Sequence, residues 1–169
     1  MEYLCKSVLT SNDSNDESKN EREQALLDVI HAAGLQAFDL QRLLSLAKQA
    51  QFWRVCEIIY QDLNKYDLIV ECYLNDRYRQ VDIFRFIQTI WLTIDEQQRT
   101  KVQEKIFEHF NELIEIDSMK AFQCFCVFFQ MDLGKIMKLI GQNELAQYGI
   151  LKVKLQFSQQ TKKMFNSIF

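Results

Sequence analysis

A chain of 169 residues with no proline, and with glycine only at Gly34, Gly134, Gly141 and Gly149, has few ways to stop a helix. Its elements should be helices joined by short turns built from Asn, Asp, Gln and Gly. The spacing predicts a first helix over 21–33, ended by Gly34 where a left-handed C-cap belongs. A second helix over 38–50 carries Leu40, Leu43, Leu44 and Ala47 on one stripe. Phe52, Val55, Cys56, Ile59 and Leu63 mark a third, and after a turn at Asn64 the residues Tyr66, Ile69, Val70 and Tyr73 mark a fourth. From about 80 to 92, Ile83, Phe84, Phe86, Ile87, Ile90, Trp91 and Leu92 cover more than one stripe, which predicts neighbours on two faces. Asp95 is placed to cap a long helix reaching Ile116, with Val102, Ile106, Phe110, Leu113 and Ile114 on its apolar side. The following "SMKAFQCFCVFF" is apolar nearly all round and is expected in the middle of the pile. Shorter helices are expected over 133–140 and after Asn143.

Two segments depart from this pattern. After a short helical segment at 1–9, residues 10–24 ("TSNDSNDESKNEREQ") hold no apolar side chain and five acids against two bases, and are expected to form a flexible acidic surface loop. Residues 151–169 are basic and apolar, with Lys152, Lys154, Lys162 and Lys163 and no acid. Leu151, Val153, Leu155 and Phe157 alternate as in a strand, but the segment reads best as an unfinished helix of the array. Its lysines, with Phe165 and Phe169, are candidates for contact with a partner or an anionic membrane.

Composition narrows the function classes. At 48% hydrophobic residues the chain is too apolar to be disordered, and charges interrupt every apolar run before it is long enough to cross a bilayer. A net charge of −3 supplies no field to gather nucleic acid phosphates. The first residues have no basic and apolar signal pattern, and five cysteines are an odd number, so free thiols in a reducing cytosol are expected. Cys124 and Cys126 lie two apart on a helix and point away from each other, which suits packing rather than metal chelation. Cys56 and Cys72 fall on consecutive helices and can approach as small apolar fillers. His31 sits at a helix end and His109 on the polar side of the long helix beside Glu108 and Glu112. They form no triad, and no glycine-rich phosphate loop is present, so neither catalytic residues nor a cofactor or metal site are assigned.

The chain also carries a faint internal echo. At an offset of 70, Phe52, Cys56, Asp62, Leu63 and Lys65 fall on Phe122, Cys126, Asp132, Leu133 and Lys135. That offset equals two helical hairpins of about 35 residues, the size at which helix-pair repeats stack. An offset of 35 shows no comparable identity.

The segment from Leu43 to Ile87 resembles the clathrin heavy-chain repeat region of the class C vacuolar sorting tethers. The resemblance is carried by Phe52, Val55, Cys56, Glu57, Tyr66, Asp67, Cys72, Tyr73, Leu74, Asp76, Phe84 and Ile87. "LIEIDSMKAF", from Leu113 to Phe122, resembles the turn between successive repeats, and the likeness covers roughly 37–140. It implies an all-α fold, an α-solenoid of antiparallel helix pairs over 25–150, with Phe122 and Cys126 joining the structural signature. It further implies a non-catalytic scaffold segment of a CORVET or HOPS tether, peripheral on endosomal or lysosomal (vacuolar) membranes. Its partners would be other class C subunits and, indirectly, Rab GTPases or SNAREs. Tethers of this family are several times longer, with a β-propeller and a zinc-binding RING. The cysteines here offer no pair of C-x-x-C units, so a fragment, a truncated isoform or a short paralogue is expected. A generic helical-repeat adaptor or coat-like protein of an unrelated complex is the alternative reading, and a small cytosolic enzyme the third.

Overall fold

In a computed structural model, the structure describes residues 16–129 and 133–141, together with 149 and 151. The proposed segment 1–9, residues 10–15 of the acidic loop, and the tail residues Lys152, Lys154, Lys162, Lys163, Phe165 and Phe169 lie outside the described residues. Among the described residues every regular element is helical. The chain divides into two compact units, Met1–Arg77 and Tyr78–Phe169.

In the first unit, α1 spans Asp16–Ala33, α2 Leu40–Gln49, α3 Trp53–Asp62 and α4 Tyr66–Asn75, with a 3-10 turn at Leu35–Ala37. The helix α1 corrects the expected loop: residues 16–24 are helical, and the helix starts five residues before the predicted 21. The apolar stripe of Leu26, Leu27 and Ile30 is buried, and Glu23 continues it one turn toward the N-terminus. Arg54 of α3, which donates to the buried Glu23 carboxylate, holds that acidic turn in the helix. Gly34 follows with φ +77°, a left-handed turn in which a Cβ would stand 2.9 Å from the Gln36 Oε1.

Two of the turns that reverse the chain are Schellman motifs made without glycine. After α2, Phe52 N–H donates to the Ala47 carbonyl (2.8 Å) and Gln51 N–H to Lys48 (3.0 Å). After α3, Lys65 N–H donates to Tyr60 (2.8 Å) and Asn64 N–H to Gln61 (3.1 Å). Gln51 and Asn64 occupy the left-handed position, with φ +56° and +54°. Three-residue turns return the chain at once, so α3 packs on α2 and, most extensively, on α4. Val55, Cys56, Ile59, Ile69, Val70 and Cys72 fill the space between these helices.

In the second unit a 3-10 turn at Gln80–Asp82 leads into α5, Ile83–Trp91, followed by α6 (Glu96–Glu108), α7 (Phe110–Ile116), α8 (Ser118–Val127) and α9 (Leu133–Ile140). Asp95 caps α6 as expected: its carboxylate accepts the Gln98 N–H at 2.8 Å, and the Gln98 side chain accepts the Asp95 N–H at 3.3 Å. The predicted long helix to Ile116 is broken at His109, whose ψ of 22° leaves the α-helical range. Beyond the break α7 packs on α8 and α9, with Phe110 stacked on Phe125 at a centroid distance of 4.3 Å. The two halves therefore answer to different neighbours.

Two expectations of burial need correction here. α8 does not sit wrapped on all sides: Ala121, Cys124 and Phe125 are buried, whereas Phe122 and Cys126 are half-buried and Val127 is 67% exposed. Among the described residues its main neighbours are α5 and α7. On the segment 80–92, Ile83, Phe84, Ile87 and Ile90 are buried as predicted, but Leu92 lies past the end of α5 and is 80% exposed.

Candidate interaction surface

The residues singled out in the sequence fall into two settings. In the first unit Phe52, Val55, Cys56, Cys72 and Leu74 are buried in the core, with Tyr66 and Tyr73 half-buried at its edge. The Tyr73 hydroxyl donates to Glu57 Oε1 at 2.8 Å, tying α4 to α3. Cys56 and Cys72 meet as foreseen, as free thiols, and the hydrogen bond with Cys72 draws the Cys56 pKa below its ordinary value. Cys72 in turn approaches the Leu68 carbonyl at 3.5 Å, one turn back in its own helix. These side chains pack helices together.

The same unit holds a polar clamp that the sequence reading missed. Phe52, the N-cap of α3, has no side chain able to accept a hydrogen bond, and Glu23 of α1 supplies the acceptor instead. Its carboxylate accepts the Arg54 backbone N–H at 2.7 Å and the Arg54 Nε–H at 2.9 Å, and Gln24 Oε1 accepts from Nη1 at 2.9 Å. The signal was legible: Glu23, Leu26, Leu27 and Ile30 keep the spacing of a single helix face, so an acid at that position had to find a partner.

In the second unit Phe84 and Ile87 are buried in α5, whereas the second pair of signature residues, Phe122 and Cys126, faces an open groove. Among the described residues it is lined by Gln88 of α5 and by Phe122, Gln123, Cys126, Val127 and Phe128 of α8 and its end, around a mainly apolar cavity of about 430 Å³. An aromatic cluster backs this end of α8: Trp91 meets Phe129 edge-on at 4.9 Å and Phe128 at 6.3 Å, and Phe107 meets Phe129 at 5.5 Å. The sequence placed Cys124 and Cys126 on opposite sides of a helix, and they differ as that implies. Burial pushes the Cys124 thiol up to about 12, and it raises the Cys126 pKa as well, although Cys126 reaches the groove. Gln88, Gln123, Val127 and Phe128 were not anticipated, because only the packing of α5 beside α8 makes them one wall-to-wall surface.

His31 lies exposed in the last turn of α1, and His109 meets Glu112 through Nδ1 at 3.1 Å. Among the described residues no three His, Cys, Asp or Glu side chains gather as metal ligands, and no helix is long and apolar enough to cross a membrane.

The fold and its surfaces define an all-helical chain whose signature residues build cores and one open groove. Within that class the chain is similar to the vacuolar protein sorting-associated protein 8 homologs of Homo sapiens and Mus musculus, each 29% identical over 155 residues. The match takes in 90% of this chain and 10% of each relative, so the chain spans about a tenth of the length of the curated relatives it matches. No protein-family model and no solved structure matches it.

Proposed function

We propose that this chain is a helical scaffold segment of the vacuolar protein sorting machinery, resembling a stretch of a vacuolar protein sorting-associated protein 8 homolog. The observation that carries this reading is a 29% identity sustained over 155 residues, through both compact units. The helix pairs of the first unit, closed by three-residue turns, support a solenoid of antiparallel hairpins. In such an array side chains like Phe52, Cys56 and Cys72 hold one helix against the next, and function lies on the faces left outside. On this reading the chain is not an enzyme. It works as part of a CORVET- or HOPS-type tether, meets other class C subunits, and reaches endosomal or vacuolar membranes through that complex.

The test is purification of the tagged chain from cells that carry such tethers, with bound proteins identified by mass spectrometry. Recovery of class C vacuolar sorting subunits is expected. Stable capture of the subunits of an unrelated coat or adaptor would support the generic helical-repeat reading in its place.

A further inference from the structure

The helices α3 and α4 hold a pair of thiols opposite each other in their shared core. The turn between them is centred on Asn64, and Cys56 and Cys72 stand equally far from it in the chain. In an antiparallel helical hairpin, such positions lie across from one another. Glu57 and Tyr73, each the next residue along, confirm that register with their 2.8 Å hydrogen bond. Both cysteines face inward, with 0% and 1% exposure, and the two free thiols are hydrogen-bonded to each other.

The surroundings favour reaction at Cys56. The Cys72 S–H has two acceptors within reach, the Leu68 carbonyl at 3.5 Å and the Cys56 sulfur, so it can turn to a thiolate at Cys56. Lys48, exposed at the rim with its Nζ 5.5 Å from the centre of the Tyr60 ring, adds an attractive charge. Together they hold the Cys56 pKa below its ordinary value against the opposing effect of burial. Cys124, buried to a similar degree, has its thiol pushed up to about 12 and makes an internal control.

We propose that Cys56 and Cys72 are a redox-active dithiol that a peroxide converts into a reversible disulfide between α3 and α4. The Cys56 thiolate attacks one peroxide oxygen, the O–O bond breaks, and the departing hydroxide takes up the thiol proton as water, leaving Cys56 as a sulfenic acid. The Cys72 sulfur then attacks the Cys56 sulfur, the S–O bond breaks, and a second water leaves with the Cys72 proton. The peroxide accepts the two electrons that the thiols lose. This inference does not depend on the sorting reading.

The test uses the full chain, treated at neutral pH with a few equivalents of hydrogen peroxide, alkylated in urea and cut with trypsin without reductant. Trypsin cuts after Arg54, Lys65 and Arg77, so the bridge is read as peptide 55–65 joined to peptide 66–77. Bridging is expected to be about tenfold or more faster than oxidation of Cys124, and reduced glutathione should reopen it. In a Cys72→Ser chain, or a Cys72→Ala chain if the first does not fold by circular dichroism, dimedone should label Cys56. There the sulfenic acid lacks the thiol that would consume it. Oxidation of Cys124 while Cys56 and Cys72 stay reduced would overturn the proposal, as would either of them joined to a different cysteine. A bridge that forms only in the urea-unfolded chain, or that glutathione leaves closed, would overturn it as well.

Discussion

Glu23 shows how one residue can change the reading of a whole segment. It lies in an acidic stretch whose composition argues for a loop, yet it is among the most buried side chains of the first unit, with 3% exposure. Composition failed here because it averages over positions, whereas burial depends on which face of the helix a residue occupies. Exposed neighbours such as Asn20, Glu21 and Gln24 do not bear on the one acid in line with Leu26, Leu27 and Ile30. Removing it orphans the Arg54 backbone donor and leaves a half-buried guanidinium without its carboxylate. Glu23→Ala is therefore expected to cost about 2–3 kcal/mol, below the range for a fully buried pair because Arg54 keeps access to water. Glu23→Gln, which retains one acceptor, should cost less. Urea unfolding followed by circular dichroism measures both, and equal stability of all three chains would show that the clamp is not structural.

At the scale of elements, most helices were legible because apolar residues spaced by three and four survive any tertiary arrangement. Leu133–Ile140 falls at its predicted bounds, and the Asp95 cap needed only a carboxylate three residues before Gln98. The turns were less so. Asn64 announces a left-handed residue, but Gln51 does not, since glutamine has no local preference for positive φ. It is held there by two flanking hydrogen bonds and by Phe52, which is drawn into the core. Gln51→Gly should remove the steric cost of the left-handed conformation, offset in part by a freer unfolded chain, for a net gain of up to about 1 kcal/mol. Asn64→Gly should gain less, because asparagine tolerates that region and its Oδ1 accepts from the Tyr66 hydroxyl at 3.3 Å. The comparison is read as a difference in melting temperature, and a Gln51→Gly chain that melts below the parent would contradict it. The break at His109 was hidden for another reason: the stripe Val102, Ile106, Phe110 runs through it without interruption, and the stacking of Phe110 on Phe125 just beyond the break is a tertiary contact that the stripe does not announce.

For the whole molecule, the division at Arg77 and Tyr78 makes a prediction that is independent of function. Both residues are exposed, within a turn that links the two compact units. Among the sites in the described residues, trypsin at low concentration should therefore cut first after Arg77, and mass spectrometry should find fragments that begin at Tyr78. First cleavage inside α3 or α6 would mean that the units are not the cooperative pieces of the fold. The polar run "NDRYRQ" marks a turn, but nothing in it says that the turn parts two compact units. What local sequence settles in this protein is the class of its elements: without proline, and with apolar residues at helical spacing, each stretch has one favourable way to hide its side chains. What it leaves open is which stripe meets which neighbour. The pairs Phe52 and Cys56, and Phe122 and Cys126, are alike in type and spacing, yet the first is covered and the second faces a groove. Burial belongs to the partner surface as much as to the residue, and that surface comes from other helices, so only the tertiary structure could decide it.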